Sequence, residues 1–180
     1  PGETLKILMV HGMQTHGPNA YDCLVQDLSC MLQLKKIGEK TYSVGTKSTD
    51  PNIKVYQYKN KDSLNVKYVR FTFVNWSPAT FKFKQNIKLT DYQKSRAYLN
   101  KKLKHQIIND GFGDVGALSE DSIQDKVINA IKMAFKIQFI KHEDILTAEA
   151  GLPLKYNDEM IDLDNTAIIS ASLGSKITLE

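Results

Sequence analysis

The chain has 180 residues, 42% of them hydrophobic and 24% charged, with a formal net charge of +4. That length and balance describe one globular domain able to bury a core, and they exclude wholesale disorder. No apolar run approaches the ~18 residues needed to cross a bilayer, and the opening stretch PGETLK lacks the basic-then-apolar layout of a secretion leader; the expectation is a soluble protein of open compartment, with the cytoplasm slightly favoured.

The elements alternate. Residues 5–10 (LKILMV) form a short apolar run that suits a buried parallel strand and stops at His11-Gly12. Between residues 18 and 34, Tyr21, Leu24, Val25, Leu28, Met31 and Leu32 recur at helical spacing, with Asn19 placed as a cap. Cys23 and Cys30 lie seven apart in that helix, roughly 10 Å at its rise per residue, too far for a disulfide. They are expected as small core residues, which mildly favours a reducing compartment. Residues 53–58 and 66–74 are β-branched and aromatic around a turn-rich connection, as in a hairpin or two adjacent strands.

Asn75-Trp76-Ser77-Pro78 ends the second of these strands. The basic stretch 82–104 follows, with Lys82, Lys84, Lys88, Lys94, Arg96, Lys101, Lys102 and Lys104 against Asp91. Its second half has a helical pattern, and a loop NDGFGDVGALS comes next. Ser119 is placed to cap a helix in which Ile123, Val127, Ile131, Ala134, Phe135 and Gln138 share a face. Residues 141–164 are mixed, and 166–170 form a last strand. Strands separated by helices predict an α/β fold of three layers, with a mostly parallel sheet flanked by helices.

Two stretches carry candidate chemistry. Ser170-Ala171-Ser172-Leu173-Gly174 comes straight off the last strand. A serine hydroxyl at its ordinary pKa is a poor nucleophile, so it has to be held exposed on a tight corner; small residues two before and two after it let neighbouring backbones approach. The competing reading is a serine that caps the next helix. His11-Gly12, after the first strand, is the second stretch: a glycine-bearing loop there can aim backbone N–H groups at a developing oxyanion, or be an ordinary connection. His11 and His16 lack an acidic or cysteine partner at metal-ligand spacing, so neither a metal nor a cofactor is expected.

Taken together, VHGM, VNWSP, a long capped helix and AIISASLGSKI resemble the first half of an α/β-hydrolase of the lipase and esterase branches. The resemblance implies Ser172 as nucleophile, the backbone N–H groups of Met13 and Leu173 as oxyanion hole, and His11, Gly12, Ser170 and Gly174 as supporting loop residues. Ser170 stands where the family has its first glycine. In that family the acid and the histidine follow the serine in chain order, whereas His11, His16, His105 and His142 all precede Ser172. The expectation is therefore a single, incomplete α/β-hydrolase-like domain over residues 1–180, truncated shortly after the nucleophile corner. Its intact parent would hydrolyse an ester or thioester, lipid esters included, through an acyl-serine, and the fragment itself would be inactive. An upstream base, His142 with Asp144 or His105, is the alternative. The open sheet edge is expected to be covered by the remainder of the chain or by self-association.

Other classes fit less of the chain. Gly111 to Gly116 spell G-x-G-x-x-G without the strand that a dinucleotide site needs before it, so a structural loop is favoured. The basic stretch reads as a solvated face. Nucleic acid is disfavoured as its partner, peripheral contact with anionic lipid stays open, and a non-catalytic binding or scaffold domain is the alternative function.

Overall fold

The computed structural model describes residues 4–12, 17, 19–61, 66–86, 112–140, 144–146, 165–172 and 174. They include β1 (Thr4–Val10), α1 (Asp22–Met31), β2 (Leu34–Ser43), β3 (Asn52–Asn60), β4 (Tyr68–Asn75), α2 (Ser77–Asn86), α3 (Gly113–Leu118), α4 (Asp121–Gln138) and β5 (Thr166–Ser170). The strands form one sheet in the order β2-β3-β4-β1-β5. β1 pairs in parallel with both β4 and β5, while β2–β3 and β3–β4 are antiparallel. The α/β class holds, but the sheet is mixed rather than mostly parallel. The hairpin read from residues 53–74 accounts for one antiparallel pair. The other comes from β2, LKKIGEKTYS, whose charged outer positions hid a strand in residues that the sequence reading left without an element.

Alternation along β1 and β4 divides the core in two. Leu8, Val10, Val74 and Trp76 face α4, which contributes Val127, Ala130, Ile131, Ala134 and Ile137. Ile7, Met9, Phe71 and Phe73 face the other way, against Val25 of α1 with Tyr56 and Tyr58. Helices thus lie on both faces, and each fully buried large apolar side chain contributes about 1.5–3 kcal/mol. Arg70 points into the α4 side, where its guanidinium donates to the carbonyls of Ile137 (2.8 Å), Gln138 (3.2 Å) and Ile140 (2.8 Å). It thereby binds carbonyls at the C-terminal end of α4, which lack partners in the next turn of helix, and complements the helix dipole. Burial pushes its pKa down to about 10, and it stays charged at neutral pH.

Helix boundaries depart from expectation for local reasons. α1 is shorter than residues 18–34, because Gln33 turns left-handed at φ 53° and sends the chain into β2. Asn19 does not cap it: its Oδ1 accepts from Lys54 Nζ at 2.8 Å. Cys23 and Cys30 are free and exposed, a correction to the core reading, since the helix buries only the stripe of Val25 and Ser29. Ser119 does not cap α4 either. It closes α3, with its hydroxyl donating back to Gly116 O at 2.6 Å.

The G-x-G-x-x-G stretch is largely helical rather than a loop. Asp114 and Lys84 are 0% and 3% exposed, and they pair at 2.7 Å, while Thr80 Oγ1 donates to the same carboxylate at 2.7 Å. Lys84 is therefore no part of a solvated basic face. The helical pattern read after residue 86, with most of the basic stretch, lies outside the described residues. Among those described, no helix is long and apolar enough to cross a membrane. β5 is the last strand of the described sheet, and its Ile168 and Ile169 are 44% and 46% exposed, high for a strand of this composition.

Two aspartates set an acid limit on the fold. Asp50 accepts from Lys126 Nζ at 2.8 Å and from the Lys47 amide at 2.9 Å, and these bonds hold its carboxyl below the ordinary value. Burial would raise Asp22, but the Tyr56 hydroxyl and the Lys54 ammonium outweigh it, and the net shift is downward. A carboxyl depressed in the folded state contributes stability that is complete above its unfolded pKa, about 4, and lost as pH falls through the folded value. The urea midpoint is expected to change little from this source above about pH 5 and to decline below about pH 4. Lys126→Met should make that decline shallower.

Candidate functional site

Register brings three strand ends level. Val10 pairs with Val74 on one side and with Ser170 on the other. His11-Gly12, Trp76-Ser77 and Ala171-Ser172 therefore leave the sheet together, at the C-terminal ends of its parallel strands. In open α/β sheets that edge is where ligands bind.

The corner after β5 is tight. The Ala171 amide donates to Val10 O at 3.3 Å and the Gly174 amide to Ala171 O at 2.9 Å, so the chain reverses within four residues. Ser172 sits at its apex, exposed, with φ 52°. For a residue with a Cβ this left-handed conformation costs about 1–2 kcal/mol; strained backbone of this kind concentrates at functional corners. A serine that merely capped a helix would sit in the extended region.

Two glycines make the corner fit. A methyl group on Gly12 would stand 2.7 Å from Ala171 O and 3.0 Å from Ser172 Cβ. One on Gly174 would collide with the carbonyl oxygen of His11 and stand 2.8 Å from that of Val10. These are close backbone approaches, and neither glycine has positive φ. The structure thus brings Gly12, Ser172 and Gly174 together, with Ser170 in register opposite Val10 at the end of β5. Met13 and Leu173 lie outside the described residues.

His11 is fully buried beneath this loop. Its ring stacks on Trp76 at 4.6 Å between centroids and 9° between planes, and it tilts against Phe73 at 5.9 Å. Nδ1 lies 2.7 Å from Gly12 O. Nε2 receives the Trp76 amide at 3.2 Å, and Ser77 Oγ is 3.3 Å from the same atom. The Trp76 indole N–H also donates, to His11 O at 3.1 Å. Trp76 and Ser77 are thus parts of the site that sequence reading passed over. Their signal was the NWSP stretch itself, read as a strand end and as part of the layout of the resemblance, with no site role for either residue.

Two histidines, His105 and His142 with Asp144, are the upstream alternatives for a general base. His16, His105 and His142 lie outside the described residues. Ile145 and Leu146, next to Asp144, dock on β2: Ile145 O accepts from the Tyr42 hydroxyl, and Leu146 O from Lys40 Nζ at 3.1 Å. β2 is the edge opposite β5, four strand spacings or roughly 19 Å away. Among the described residues, no three His, Cys, Asp or Glu side chains converge as a metal site would require.

Gly12→Ala and Gly174→Ala are each expected to lower unfolding free energy by about 1–3 kcal/mol, from overpacking against fixed backbone. Gly17→Ala, where nothing lies within 4 Å of the added methyl, should change it by less than about 0.5 kcal/mol. Urea titrations of the three variants compare these directly. No protein-family model matches the sequence, and no curated protein or solved structure shows a significant match to it.

Proposed function

We propose that this domain belongs to an α/β-hydrolase-like serine hydrolase that cleaves an ester or thioester, lipid esters included, through an acyl-serine. The observation that carries the reading is the strained, exposed position of Ser172, at φ 52° on the corner after β5 and packed against Gly12 at the end of the neighbouring parallel strand. A nucleophilic serine needs such a corner, because the hydroxyl must project from the sheet edge with backbone amides close by. The order of the strands supports the same reading: β1, which carries His11-Gly12, lies between β4 and the strand that presents the serine.

In the proposed mechanism Ser172 Oγ attacks the acyl carbonyl, and the amides following Gly12 and Ser172 stabilise the oxyanion. A base carried by polypeptide outside the described residues takes the hydroxyl proton and returns it to the leaving group. That polypeptide would approach from the β5 side, where Ile168 and Ile169 leave apolar surface exposed and where another segment or a second copy would extend the sheet. Without such a base, oxyanion stabilisation and binding leave only a small part of the acceleration.

The test is labelling with a fluorophosphonate probe, followed over hours and located by mass spectrometry. Covalent modification of Ser172 in the wild-type protein, and its loss in Ser172→Ala, is the expected result. No modification of the wild-type protein, or equal modification of both, would leave a non-catalytic binding domain as the better reading.

A further inference from the structure

We infer that His11 serves this site as a neutral positioning residue whose single ring proton is fixed on Nδ1, and that it is not the missing base. The consequence for chemistry rests on the hydrolase reading of Ser172; the geometry does not. Gly12 O can only accept a hydrogen bond, so the nitrogen 2.7 Å from it carries the proton. The Trp76 backbone N–H can only donate, so the nitrogen 3.2 Å from it presents a lone pair. One neutral tautomer satisfies both, and the imidazolium would set an N–H against an N–H.

The described surroundings point the same way. The ring is fully buried between its stacking partner Trp76 and the edge of Phe73, with Ser77 Oγ at 3.3 Å from Nε2. Nε2 is therefore turned toward the end of β4, while Ser172 lies at the end of β5 on the other side of β1. An imidazole held this way has no lone pair to offer a serine hydroxyl.

What it does hold is the Gly12 carbonyl. A trans peptide is planar, with N–H directed opposite to C=O, so the bond from Nδ1–H sets the direction of the amide that follows Gly12. That amide is one of the two that the hydrolase reading assigns to the oxyanion. β4 therefore reaches the reacting serine indirectly: the Trp76 amide fixes the tautomer, the tautomer fixes the carbonyl, and the carbonyl fixes the donor.

Two measurements test this. In 15N-resolved NMR of the wild-type protein at neutral pH, His11 is expected to show a protonated Nδ1 and an unprotonated Nε2; a proton on Nε2, or on both nitrogens, overturns the assignment. The second is the rate of fluorophosphonate attachment to Ser172 in two variants. Asn at position 11 places an amide N–H close to the site of Nδ1, and His11→Asn should label within about threefold of wild type. His11→Phe keeps the stack on Trp76 but loses the donor, and should label at least about tenfold more slowly, since loss of an oxyanion donor typically costs 10²–10³ in rate. Equal rates in the two variants would overturn the positioning role. If the wild-type protein is not labelled at all, the hydrolase reading falls, and the nitrogen spectrum alone upholds or overturns the tautomer.

Discussion

The backbone of β1 can run alongside the corner after β5 only where side chains are missing, and the architecture of the site follows from that steric constraint. Gly174 lies against the carbonyls of Val10 and His11, while Gly12 lies against Ala171 and Ser172. Each contact is closer than a Cβ permits. The parallel register of β1 with β5 brings Val10 level with Ser170, and the two glycines let the chains stay that close once the strands have ended. The left-handed turn at Ser172 follows, because a chain that must reverse within four residues has few other conformations available.

Packing from the opposite side makes the corner rigid. Trp76 fills the core against α4 and at the same time stacks on His11, to which it donates two hydrogen bonds. The first turn of α2 is tied down further along by Thr80, Asp114 and Lys84. The ion pair is buried, so its two charges hold α2 against α3. The α2–α3 layer and the loop at Gly12 therefore belong to one packed unit.

Much of the site was legible because its signals are local. A short apolar run that stops at His-Gly, and another that stops at Ser-Ala-Ser-Leu-Gly, each mark a strand end with a small residue where backbone has to pass close. The periodicity of α4 was readable for the same reason: Val127, Ile131, Ala134 and Gln138 lie on one face whatever they pack against. β2 was not readable. LKKIGEKTYS alternates around charged outer residues, and its pairing with β3 is set by residues some 20 positions away. The two cysteines misled for a related reason: one helix can present several faces, and which one is buried depends on the sheet beneath it.

By itself the sequence determined that strands and helices alternate, that the first and last strands end in glycine-bearing corners, and that a serine occupies one of them. These are properties of short segments, governed by side-chain shape and backbone freedom. Tertiary structure alone decided that the two corners meet, that His11 turns its nitrogens toward Gly12 and Trp76 rather than toward Ser172, and that Lys84 is buried against Asp114. Each of those outcomes depends on groups far apart in the chain, and burial and hydrogen-bond satisfaction become defined only when the sheet has brought them together.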